Sequence, residues 1–517
     1  MPQKSSQEAI DSFNAINAIP TGVNDTTTQV HHKKLDETTR VIHERSYPND
    51  KMYSPYELRR AYQSTPVVPL KDKRKVVITI AIASPVSAEF LQECLDGFCR
   101  AYDLPLTTLE VVPMPTISQL SIDFFNNFVT EPLKGYLNSE SYKSSNMFNE
   151  ADFVAYFKTD ILSDYDSTTV LGGLIDDMLV AMMHGLFENL TETLIDIQWS
   201  YAMNPHAHIR VVQSESMNTI FDTVQFASDA RNFSGVATDI ISMSWHAPES
   251  ALTQSKVDII EGYFSNDKIC YLSSSGDQSI SNAGAFPSSS ANVLSVGGTS
   301  LYFNPVSDVM SQTTWYWDNN GNGAGCGFST YSSKPAYQSK VNLGNTQRCT
   351  PDICGIADPN TGVAICFAGD DTKINAKYMI VGGTSLACPL NAGMLSNVIQ
   401  SFINHDSSMV LTTVNNPTSA NSVNLQTMLY DIYHSSVAAE FGLYSKCFYD
   451  VTVGSNGIYN TANGYDVATG LGSLYYDKFI DLFFDFAVFN KLKLTTDQKN
   501  IIKRQKIAML NKYLNSV

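Results

Sequence analysis

The sequence is short of positive charge. Its 34 lysines and arginines face 51 aspartates and glutamates, for a formal net charge of −17 and a pI near 4.9. Nucleic acid and anionic membrane surfaces both select basic faces, so neither is expected as a partner. Long apolar runs are missing as well. No stretch reaches the length of about 18 apolar residues that crosses a bilayer, and residues 1–50 hold no apolar core of signal-peptide length. A soluble monomer is expected, intracellular or packaged in a particle. The nine cysteines are scattered, odd in number and free of any Cys-x-x-Cys pair. That pattern argues against a disulfide framework and a zinc site, and for buried, reduced thiols.

What is present can fill a large core, since 43% of the residues are hydrophobic and 11% aromatic. Residues 1–47 are polar and read as a flexible leader, and residues 491–517 as a basic helical tail whose default role is a solvated face. Between them, 48–490 reads as one large catalytic domain. Tyr53–Tyr62 opens it as a short helix with Pro55 in the first turn. Val76–Ala83 is a continuous, β-branched run that suits a buried parallel strand. Ala88–Tyr102 then reads as an amphipathic helix and Leu109–Val112 as a strand, completing a βαβ unit. An insertion of helices and loops is expected over about 115–176. Leu179–Ala202 reads as a helix broken near Asn189. Further strands are expected at Ile209–Gln213, Asp239–Trp245, Ile269–Ser274, Val293–Val296 and Tyr378–Val381, with helices at Phe221–Ala230 and Gln254–Ser265 between them. Residues 304–377, rich in Gly, Asn, Ser and Tyr, read as long surface loops. The class is α/β, a doubly wound and mostly parallel sheet flanked by helices.

Three ends of this alternation carry chemistry. Gly382-Gly383-Thr384-Ser385 follows a strand and opens an apolar helix, which sets the Ser385 hydroxyl at a helix N-terminus where negative charge is favoured. Gly-Thr-Ser is also ordinary turn and cap chemistry. The second copy, Gly297–Ser300, runs into the strand-like Leu301-Tyr302-Phe303 and lacks the helix. A serine nucleophile needs a base, yet none of the nine histidines sits in a His-Gly-Thr setting. Glu192 and Asp196, four apart in an apolar helical stretch, share one face instead and would tend to share a proton if buried. Ser273-Ser274-Ser275-Gly276-Asp277 ends another strand. Asp277 could donate to a developing oxyanion only while protonated.

Glu-x-x-x-Asp, Ser-Gly-Asp and Gly-Thr-Ser-x-x-x-Pro, in that order, resemble the sedolisin, or serine-carboxyl peptidase, family, and the likeness extends over about residues 50–485. It includes Ser242-Met243-Ser244-Trp245, Phe286-Pro287-Ser288 and Gly464-Tyr465-Asp466. The resemblance implies a subtilisin-like fold and a peptidase acting on proteins or peptides at acidic pH, for which an acidic compartment would be suitable. It assigns Ser385 as nucleophile, Glu192 as general base, Asp196 as its orienting partner and Asp277 as oxyanion donor. It also implies one structural Ca²⁺, held by the Asp450 and Asp466 carboxylates and the Val451, Ala462 and Gly464 carbonyls. The sequence departs from the family at Leu386, at His246 after Trp245, and in a leader shorter than the family's folded propeptide. A catalytically silent relative with a binding or structural role is the alternative. Cleavage preference and endo- against tripeptidyl action are not legible.

Overall fold

The computed structural model describes residues 52–484, apart from 72, 140–147, 163–169, 280–283, 318–320, 342, 368–376, 406–409, 420 and 435–441. The expected leader and basic tail lie outside the described residues. The first described element is the helix Pro55–Ala61 (α1), held by a reciprocal capping box between Ser54 and Glu57. Val77–Ile82 (β1) is buried along its whole length, as an apolar β-branched run between two helical layers must be. Ala88–Ala101 (α2) crosses back and Glu110–Pro113 (β2) follows.

Next among the long elements come the helix Val170–Met203 (α3), the strand His208–Gln213 (β3), the helix Ile220–Ala227 (α4) and the strand Ile240–Met243 (β4). Gln254–Glu261 (α5), Cys270–Ser274 (β5), Leu294–Asn304 (β6), Val309–Thr314 (β7) and Ile353–Ile356 (β8) complete the alternation. The strands form an eight-stranded sheet in the order β8-β6-β5-β4-β1-β3-β2, parallel throughout, with β7 antiparallel against β6. The chain fills one side of β1 with β2 and β3, then the other side with β4. That reversal opens a crevice at the carboxyl ends of β1 and β4, where doubly wound sheets bind ligands.

The core splits across the sheet. Ile78, Ile80 and Ile82 face one apolar layer, and Ala81 with Val212, Ile241 and Met243 face the other. All nine cysteines are buried and free.

Three expectations need correction. The helix holding Glu192 is unbroken at Asn189, whose carbonyl accepts from the Thr193 hydroxyl at 2.8 Å, so the polar residues are absorbed within the helix. The Tyr378–Val381 strand is real, but Lys377–Val381 (β10) pairs antiparallel with Val363–Phe367 (β9) as a separate ribbon and is not part of the main sheet. Residues 304–377 are not only loop. They hold β7, β8, β9 and the hairpin of Gly327–Ser333 with Gln347–Thr350, short strands whose Gly, Ser and Cys content hides them.

Candidate active site

The helix Thr384–His405 (α6) begins directly after β10 and the two glycines. It lies against α3 at close range: a Cβ on Gly393 would stand 2.4 Å from the Ser200 carbonyl oxygen, so only glycine lets the backbones meet. The Ser200 hydroxyl donates to the Pro389 carbonyl at 3.2 Å, and Asn204 Nδ2 to Ser396 Oγ at 2.8 Å. On its other side α3 is fastened to β9. The Gln198 amide donates to the Cys366 carbonyl and accepts from its N–H at 2.7 and 2.8 Å, and Trp199 Nε1 donates to the Ala364 carbonyl at 3.1 Å. These bonds fix α3 in register with α6.

The register brings Glu192, Asp196, Asp277 and Ser385 to the walls of one open cleft of about 680 Å³ at the crevice of the sheet. Asp196 is fully buried. Its Oδ1 accepts from the Ser244 hydroxyl at 2.6 Å, and its Oδ2 has no hydrogen-bond partner among the described residues. Glu192 Oε1 is likewise shut from solvent without a partner there. Burial, then the charge of Asp196, push the Glu192 carboxyl well above the ordinary range, against the hydroxyls of Ser385 and Ser244. Burial also pushes Asp196 well up. Two desolvated carboxylates this close cannot both ionise cheaply, so the pair holds a proton.

Ser385 stands in the first turn of α6, and its hydroxyl donates to the Ser244 carbonyl at 3.3 Å. Asp277 reaches the same turn from the end of β5. Its Oδ1 accepts from the Thr384 N–H and hydroxyl at 2.7 and 2.6 Å, and the Gly276 N–H donates to that hydroxyl at 3.0 Å. Because Oδ1 already takes two donors, a proton on Asp277 belongs on Oδ2. Gly383, at φ +88°, makes room for that atom, since a Cβ there would lie 2.6 Å from Oδ2.

Two residues here went unassigned in the sequence. Ser244 links Asp196 to the Ser385 turn, and Thr384 links Asp277 to it. A Ser-x-Ser-Trp strand end marks the first only as a place, not as a partner. His246 also lines the cleft, but no hydrogen bond joins it to Ser385 among the described residues, and burial lowers its pKa.

The expected calcium residues lie together in one loop region. Val451 is fully buried. Gly464 donates its N–H to Asp450 Oδ2 at 2.8 Å and Ala462 its N–H to Asp466 Oδ2 at 3.0 Å. The contacts seen from these two residues are therefore through nitrogen. Burial raises Asp450 and pushes Asp466 up to about 6. Neither carboxylate has a salt-bridge partner among the described residues, where no group of three or more His, Cys, Asp or Glu gathers to hold a metal.

The Subtilase family profile matches residues 197–429. Sedolisin of Pseudomonas sp. (strain 101) is 33% identical over 198 residues, which are 37% of this chain and 28% of that protein. Kumamolisin of Bacillus sp. (strain MN-32) is 26% identical over 305 residues, 54% of this chain and 49% of that protein. The chain thus spans about half or less of the length of these relatives. A solved structure of Pseudomonas sedolisin, a serine-carboxyl proteinase complexed with two molecules of pseudo-iodotyrostatin, superposes with a TM-score of 0.56 at 20% identity. It covers 84% of this chain and 98% of the other, and so shares the fold.

Proposed function

We propose that this chain is a member of the sedolisin family, a serine-type peptidase that hydrolyses peptide bonds through an acyl-enzyme at acidic pH. The observation that carries this reading is the meeting of Ser385, at a helix N-terminus, with the carboxyl groups of Glu192, Asp196 and Asp277 in one cleft.

Ser385 Oγ bonds to the substrate carbonyl carbon as its proton passes to Glu192, the general base. The carbonyl π electrons move onto oxygen, where the protonated Oδ2 of Asp277 and the N-terminal dipole of α6 face the new charge. Collapse of the tetrahedral species breaks the C–N bond, and Glu192 returns its proton to the departing amine. Water then repeats the sequence on the acyl group, restoring the Ser385 hydroxyl. Asp196, held by Ser244, orients Glu192 and takes part of the shared proton. Asp277 can donate to the oxyanion only while protonated, which is the ground for assigning acidic conditions.

The oxygen-rich C-terminal loop fits a structural Ca²⁺. Asp450 and Asp466 are desolvated carboxylates without a basic partner among the described residues, and a hard cation would neutralise both. These two would hold it with the carbonyls of Val451, Ala462 and Gly464.

A catalytically silent relative remains the second reading. On its side stands the Ser385 hydroxyl, which donates to the Ser244 carbonyl at 3.3 Å. Digestion of casein and of peptides across the acidic range, with Ser385→Ala as control, decides. Cleavage by the native chain alone supports the peptidase, none by either supports the silent form, and equal cleavage by both points to another nucleophile.

A further inference from the structure

The long helix carries a third carboxylate in step with the proposed pair. Glu188, Glu192 and Asp196 recur every four residues and all line the cleft, as the helical repeat places them. Their exposure differs. Asp196 is fully buried and Glu192 half-buried, whereas the Glu188 side chain is 69% exposed. A carboxylate so open to water is poorly placed to relay protons to Ser385. It is well placed to meet a substrate side chain.

The surroundings leave it available. Its one ion-pair contact among the described residues is His184 Nδ1 at 3.4 Å, and the other nitrogen of that imidazole sits closer to Glu150, at 2.9 Å. Among the described residues no lysine or arginine lines the cleft. The same wall also ends in a fully buried carboxylate oxygen, Asp196 Oδ2, with no partner among the described residues. Met217 and Ile220 add apolar surface, along which an aliphatic stem can lie while its charged head stays wet.

We propose that Glu188 selects substrates bearing a lysine or arginine side chain at one position near the scissile bond. The proposal rests on the peptidase reading of the cleft. Its test is digestion of peptide sets varied at one position at a time by the full chain, comparing kcat/KM for lysine against norleucine and arginine against citrulline. At one position the basic residue is expected to win by about two- to fivefold, the size of an exposed ion pair. Glu188→Gln brings that ratio to about one, and Glu188→Lys turns the preference at the same position toward glutamate. A wild-type ratio of about one at every position, or a ratio that neither variant moves, overturns the assignment and leaves the peptidase reading standing. A wild-type chain that cleaves no peptide of the sets between about pH 3 and 7, the range in which carboxyls and imidazoles titrate, removes both.

Discussion

The Ser244 hydroxyl donates to Asp196 Oδ1 across 2.6 Å, the one hydrogen bond this fully buried carboxylate makes among the described residues. Ser244→Ala removes the partner of Oδ1 and leaves both oxygens without one among the described residues. A stability loss of about 1–3 kcal/mol is expected in urea denaturation. Because that bond favours the ionised form of both carboxyls, its loss should also move the acid limb of the pH–activity profile to higher pH. Ser244→Thr, which keeps a hydroxyl, should restore much of both. An alanine variant with native stability and profile would remove Ser244 from the network.

Ser385→Ala should lower kcat/KM by about 10⁴-fold or more, the scale seen when a serine nucleophile is lost, with the melting temperature nearly unchanged. The side chain is half-buried and makes one long bond, so little packing goes with it. Residual activity near the native level would point to another nucleophile.

Glu192 and Asp196 also make stability depend on pH. Below about pH 4, the range of free carboxyls, folded and unfolded chains both hold these protons. Above it the unfolded chain releases protons that the folded chain, with raised carboxyls, retains. The folded state then binds more protons, so stability falls as pH rises. Glu192→Gln should melt above the wild type at pH 7 and near it at pH 4. Calorimetry showing the gap narrowing toward neutrality would contradict the burial assigned to the pair.

Gly383 combines φ +88° with Asp277 Oδ2 at 2.6 Å from its missing Cβ. Gly383→Ala therefore strains the turn by about 1–3 kcal/mol and pushes away the proposed oxyanion donor. The effect should fall on kcat more than on KM, read from initial rates on one peptide. A fall in KM-dependent binding alone would place Asp277 outside the chemistry.

Calcium binding is checked without any substrate. Chelation should lower the melting temperature and added Ca²⁺ restore it, since a ligand that binds only the folded state stabilises it by mass action. Asp466→Asn should lose that response. Indifference of the native chain to chelator would exclude the ion.

The sequence made parts of this site legible for plain geometric reasons. The interval from Glu192 to Asp196 puts both on one helical face whatever surrounds the helix, and Gly382-Gly383 before Ser385 marks a strand-to-helix turn. The same interval extended one turn back reaches Glu188, which the pattern alone leaves among ordinary solvated acids. Pairing was less legible. The apolar run of Tyr378–Val381 shows a strand but not that its neighbour is Val363–Phe367, because alternation carries no information about partners. Ile353–Ile356 has four residues, one Cys and one Gly, and vanishes into a loop-like composition, although it forms the sheet edge. Ser244 is tied to Asp196 by a contact spanning 48 positions, which no local pattern announces.

Gly393 lies two turns beyond Ser385, away from the cleft, yet it sets how near the two long helices come. A larger residue there would act as a remote control on reactivity, widening the gap between acid and alcohol without altering either.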